Sequence, residues 1–173
     1  MPPARRCGRF LLYPYFCQKN FMQILLVLHN VFRWLILIFA FWTIITAISG
    51  LSGRRIYSPA DNKANLFFMI CMDIQLLLGL ALYFMGDWYA AFSNMGEAMK
   101  DTRVRFFSIE HSLMMIIAWI LVHAGRTAVK KSFNSSGKFK KTLIFFGIAL
   151  LLILIAIPWP FREIISRPWF RGF

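Results

Sequence analysis

The sequence predicts an all-α fold, a four-helix up-and-down transmembrane bundle, on three observations. Hydrophobic residues fill 59% of the 173 positions, above the roughly 45–50% of soluble domains. Nineteen Phe and six Trp stand against seven acidic residues, so there is too little polar surface to cover the apolar one. The apolar residues gather into four runs that reach or approach the roughly 20 residues needed to cross a bilayer as a helix.

The first span is expected over about 24–50, with an uncharged core from Trp34 to Leu51. Gly50-Leu51-Ser52-Gly53-Arg54-Arg55 follows as a flexible basic turn, and Ser58-Pro59-Ala60-Asp61-Asn62 supplies helix-start chemistry for the second span, about 64–86. A loop from Asp87 to Arg103, with three acids and two bases, leads to the third span, about 104–125. The loop from Arg126 to Lys141 holds six Lys/Arg and no acid around an Asn134-Ser135-Ser136-Gly137 turn. The fourth span, about 142–157, is stopped by Pro158-Trp159-Pro160, which cannot continue a helix and sets an aromatic anchor at the interface. Residues 163–173 form a short basic tail. Met22 directly precedes the first span. Residues 1–21 are therefore expected to be an extension, disordered or arising from a mis-assigned start, since no signal-peptide pattern is present.

The net charge of +13 lies between and beside the apolar runs. Its expected partner is the anionic headgroup layer, above all at the 126–141 loop, and not nucleic acid. Loops one and three carry nine Lys/Arg; the opposite side carries six, or ten with the extension. Without the extension the asymmetry places both termini outside the cytoplasm. Cys7, Cys17 and Cys71 form no metal spacing; Cys71 reads as a packing residue, and a Cys7–Cys17 disulfide has no support.

Ionisable residues inside spans are costly and mark function by default. His29 and Arg33 are one turn apart on one helix face. Glu110 and His111 are adjacent on the third span, which enters the membrane from the same side. At about 1.5 Å per residue, Arg33 and Glu110 fall level and are expected to form an ion pair, with His29 about 6 Å further out. Two histidines on facing helices are what six-coordinate haem b requires, so His29 and His111 are the candidate axial ligands. Arg33 is expected to neutralise a propionate, and Glu110 to support the ligands. The competing reading makes each histidine a packing residue bonded to a backbone carbonyl.

His123 lies twelve residues beyond His111, at the opposite surface, and is expected to meet headgroups or a helix C-terminus. Asp73 and Gln75 sit midway along the second span. For Asp73 a structural role, bridging helices by hydrogen bonding, ranks slightly above proton relay or quinone contact. The tryptophans read mostly as interface anchors or packing, and Met69, Met72, Met114 and Met115 as core filler. No phosphate loop, catalytic triad or zinc motif appears.

Several stretches carry a resemblance: Leu28-His29 with Arg33-Trp34; Asp61-Asn62-Lys63; Gln75-Leu76-Leu77-Leu78-Gly79-Leu80 with Tyr83-Phe84; Arg105-Phe106-Phe107 with Glu110-His111 and Met114-Met115; His123-Ala124-Gly125-Arg126; and Ile157-Pro158-Trp159-Pro160-Phe161-Arg162. From about Met22 to Arg162 the chain resembles a thinly characterised group of small four-helix bacterial membrane proteins labelled cytochrome-b-like. The resemblance implies haem, residence in the bacterial inner membrane and electron transfer. The spacing from His111 to His123 departs from paired-histidine two-haem patterns, so at most one haem is expected.

The leading expectation is therefore a b-type cytochrome-like electron carrier rather than a stand-alone enzyme, passing electrons between a quinone or partner subunit and an outer redox protein. The alternatives are a haem-free accessory subunit organised by a buried Arg33–Glu110 pair and, more weakly, a small transporter, for which no broken helix or inverted repeat is visible.

Overall fold

Four long helices are each stopped by local chemistry that the sequence carries. The computed structural model describes residues 9–170, with side chains from residue 20 onward. Among these residues there is no strand. Helix α1 covers Arg9–Ser52 and α2 Pro59–Met85. After a 3₁₀ segment at Trp88–Asn94 and a short α3 at Met95–Lys100, α4 runs over Thr102–Lys130. Helix α5 covers Ser135–Ala156. The expected spans are all present. The four long helices, α1 from Asn20 onward, are apolar and long enough to cross a membrane.

The differences lie at the ends, where caps extend the helices beyond their apolar runs. Ser58 and Asp61 form a reciprocal capping box with Pro59 in the first turn, so α2 starts well before its apolar run. The Asn134 side chain accepts from Gly137 N; the stretch read as a turn is a helix N-cap. Asp101 likewise caps α4 through Arg103 N and Val104 N, and the loop expected over 87–103 is largely helical. Helix α1 is helical from Arg9, into the stretch expected to be an extension. Cys7 lies outside the described residues, and Cys71 is buried as a packing residue.

Helix α1 packs on α2 and α5, and α4 packs on the same two, giving an antiparallel ring. Its core is a column of Ile36, Ala40, Phe68, Met72, Ala118, Phe146 and Ile153, all nearly inaccessible. At Gly125 the packing of α4 on α5 is so close that a Cβ would lie 2.5 Å from Phe145 Cβ. Ile38, Ile45, Leu77, Leu151 and Ile155 are each more than half exposed. Such an outward apolar surface suits hydrocarbon, not water.

A polar clasp closes the end where α1 meets α2. Arg55 grips Asp61 with two bonds of 2.6 and 2.7 Å and reaches Thr46 O at 3.1 Å. Its hydrogen bond to Asp61 raises the Arg55 guanidinium above its ordinary value. Asn65 donates to the Tyr57 hydroxyl at 3.0 Å. Burial, with the nearby Asp61 charge, pushes the Tyr57 phenol up to about 12. Arg126 donates to Asn62 O and Oδ1, which ties α4 to the start of α2.

Candidate functional site

At the other end, His29 from α1 and His111 from α4 meet across the ring. Their ring centroids are 6.4 Å apart and the planes are inclined by 63°. The 6 Å offset expected from residue counting does not keep them apart.

Residues Phe106–Glu110 of α4 form one π-turn, and the His111 N–H donates to Phe106 O, five residues back. A π-turn inserts one residue into a helix and re-aims the side chains beyond it. His111 then turns inward, and its Nδ1 lies 2.9 Å from Ala156 O. A carbonyl only accepts, so Nδ1 carries the proton and Nε2 keeps its lone pair. This is the arrangement in which an imidazole ligates a metal while a backbone oxygen fixes its tautomer.

The π-turn also overturns one expected contact. It stacks Arg105 and Glu110 on one face, and Arg105 Nε bonds Glu110 Oε1 at 2.7 Å. The Glu110 side chain is 41% exposed and stands outside the cavity. Arg33 therefore does not pair with Glu110. Its Nη2 donates instead to Trp169 O at 2.6 Å and Pro168 O at 3.4 Å. Those oxygens belong to the segment after α5, which folds back over the bundle. Trp34 Nε1 also donates to Trp169 O, at 3.0 Å, and Trp34 stacks on Trp169 and Phe170. The tail read only as short and basic is a strap.

Between these groups lies a cavity of about 510 Å³, within the range of about 300–1,000 Å³ usual for small-molecule sites. His29, Arg33, Gln75, Ser108 and His111 line it together with the apolar Met72, Met115, Ile36 and Ile153. Gln75 Nε2 donates to His29 O at 3.1 Å. Gly79, one turn further along α2, leaves the space in front of the imidazole open: a Cβ there would lie 3.6 Å from His29 Cε1. Four buried polar atoms around this space have no hydrogen-bond partner: His29 Nδ1, Arg33 Nε, Gln75 Oε1 and Ser108 Oγ. Such atoms each cost about 1–3 kcal/mol when left unpaired, and all four belong to residues that line this cavity.

The spacing of the two imidazoles is compatible with the haem that the resemblance implies. Metal–imidazole bonds of about 2.0 Å on each side of one ion bring two ring centres to about 6 Å. The observed separation is close to this, and Arg33, whose hydrogen bonds among the described residues go to the Pro168 and Trp169 carbonyls, is suited to a carboxylate. Sequence reasoning had no signal for Ser108, which the π-turn brings inward. Gln75, Gly79 and Tyr83 were legible as an i, i+4, i+8 row on one face of α2.

The remaining intramembrane groups sit apart from this cavity. His123 also has a partner inside the bundle: its Nε2 lies 3.2 Å from Asp73 Oδ1. Trp119 Nε1 donates to the same oxygen at 2.7 Å, so Asp73 bridges α2 to α4, the structural role ranked first. Among the described residues, no group of three or more His, Cys, Asp or Glu is placed to hold a metal ion. Comparisons with family models, curated proteins and solved structures give no match. The functional reading rests on the residues and their geometry.

Proposed function

We propose that this chain is an integral membrane, b-type cytochrome-like electron carrier that holds one haem b between His29 and His111. The observation that carries the reading is the imidazole pair, half-buried and lining one cavity, with the His111 tautomer fixed by Ala156 O. Bound haem supplies one-electron redox chemistry. His29 and His111 each offer a ring nitrogen to iron, Arg33 neutralises a propionate, and Met72, Met115 and Ile153 exclude water. Glu110, turned out to Arg105, takes no part.

Within this reading the chain resides in a bacterial inner membrane with both termini periplasmic. Its basic 126–141 loop lies against anionic headgroups, and a quinone or partner subunit exchanges electrons with it. The Arg33–Glu110 pair expected for the haem-free accessory reading does not form.

Protein purified from haem-replete cells should be red and give a dithionite-reduced b-type difference spectrum. His29→Ala and His111→Ala should each abolish the band while the elution profile on gel filtration is unchanged. A colourless wild-type preparation overturns the cofactor; colour that survives both substitutions overturns the ligands.

A further inference from the structure

Behind the cavity wall formed by Trp119 lies a second polar cluster with its own chemistry. His123 has an oxygen facing each ring nitrogen: Trp119 O lies 3.1 Å from Nδ1 and Asp73 Oδ1 3.2 Å from Nε2. A carbonyl and a carboxylate accept and do not donate, whereas a neutral imidazole has one N–H to offer. With Asp73 as the carboxylate, the ring can donate towards both oxygens only when it carries two protons. The indole N–H of Trp119 donates to the same Asp73 Oδ1 at 2.7 Å, so the indole and the imidazole share one carboxyl oxygen. The Trp119 ring lies beside His123 at a centroid distance of 4.4 Å, which offers an aromatic surface to a cation.

The cluster is also reachable. The side chains of His123 and Asp73 are 35% and 40% exposed. A surface groove follows α4 from Trp119 past His123 and Thr127 to Lys131. His123 is seven residues before Lys130, about 10 Å inside that end of the helix.

We propose that Asp73, Trp119 and His123 form a proton-binding site that exchanges with water on the Lys131 side of the bundle. The loaded site is a carboxylate beside an imidazolium. On release one N–H bond of the ring breaks, its electron pair stays on nitrogen and the proton passes to water. A ring-nitrogen lone pair then faces an oxygen, and the tie between α2 and α4 weakens. The other ionisable groups around the cluster are few. Cys71 lies on α2, Arg126 on α4 is turned to Asn62, Lys131 stands at the groove mouth, and Lys141 of α5 donates to Ala128 O. Helix α1 brings none between Arg33 and its end at Ser52. The site stands whether or not His29 and His111 hold a ligand.

Nitrogen-15 spectra of histidine-labelled full-length protein in nanodiscs test it, since the chain has three histidines and His123→Gln assigns the third. At pH 7 both ring nitrogens of His123 should carry protons, and Asp73→Asn should convert the ring to a neutral imidazole. Unchanged His29 and His111 signals show that the variant is folded. In oriented vesicles, raising the pH on the Lys131 side alone should remove the proton. A neutral His123 in the wild type, an imidazolium that persists in Asp73→Asn, or deprotonation from the opposite side overturns the proposal.

Discussion

His29, His111 and His123 differ in how many oxygens face their ring nitrogens, and that number sets what each ring can do. His111 has one, Ala156 O, which leaves a free lone pair for a ligand. His29 has an unpartnered Nδ1 and gains by a ligand that reorders the cavity. His123 has two within 3.2 Å, the arrangement on which the proposed proton site rests. The pairing of His29 with His111 was legible because both lie early on spans that enter from one side. The partners of Arg33 and Glu110 were not, because a single π-turn shifts every later side chain of α4 by one position and leaves no mark in the residue pattern. Arg33 and Glu110 should accordingly differ in their effect on the cofactor. Arg33→Gln should weaken haem retention about 10–100-fold, the usual cost of losing an outer-shell partner, and Glu110→Gln should leave it unchanged. Competition of both variants against apomyoglobin for haem measures this; equal losses would restore Glu110 to the site.

The helices owe their lengths to caps and their spacing to small residues. Ser58, Asp101 and Asn134 each start a helix ahead of the apolar run it carries, which is why spans read from hydropathy come out short. Two glycines that look alike in sequence differ in what surrounds them. At Gly125 a Cβ would meet Phe145 Cβ at 2.5 Å, a branch point that cannot swing aside. Gly125→Ala should therefore destabilise by about 1–3 kcal/mol, the range for overpacking. Gly79→Ala meets His29 Cε1 at an ordinary 3.6 Å and should cost little. Unfolding in mixed micelles by titration with sodium dodecyl sulfate ranks the two; a Gly79 variant weaker than the Gly125 variant contradicts the packing. The clasp between α1 and α2 gives a pH prediction. Tyr57, pushed up to about 12, stays neutral in the folded protein while the unfolded chain ionises near 10. Its contribution to stability is complete below pH 10 and is lost as pH rises towards 12. Tyr57→Phe should remove that part of the alkaline loss, read by phenolate absorbance alongside the unfolding transition.

At the scale of the whole molecule, charge and packing divide the bundle into two ends with different tasks. One end carries the Arg55–Asp61 clasp and the basic 126–141 loop; the other carries the cavity and its strap. His111 and His123 are twelve residues apart on α4, about 18 Å. Unit charges at that separation interact by about 1 kcal/mol at an effective dielectric of 20, less than a tenfold effect on binding. The proton site and the cavity are therefore separable by experiment. The same division bears on how the bundle should sit. Nine Lys/Arg surround loops one and three, against six on the opposite side from residue 22 onward, or ten once residues 1–21 are counted. A charge count that ends nine against ten does not choose a side, so the orientation depends on whether the first 21 residues act in insertion. With Cys7 and Cys17 replaced by Ser, and Cys71 buried, single cysteines report the two faces. A membrane-impermeant maleimide added to spheroplasts should label Ser166→Cys, on the strap side, and spare Ser136→Cys, at the start of α5. The pattern should hold with residues 1–21 present or removed if they play no part in insertion. Labelling of Ser136→Cys alone would place the strap and the cavity at the cytoplasmic face.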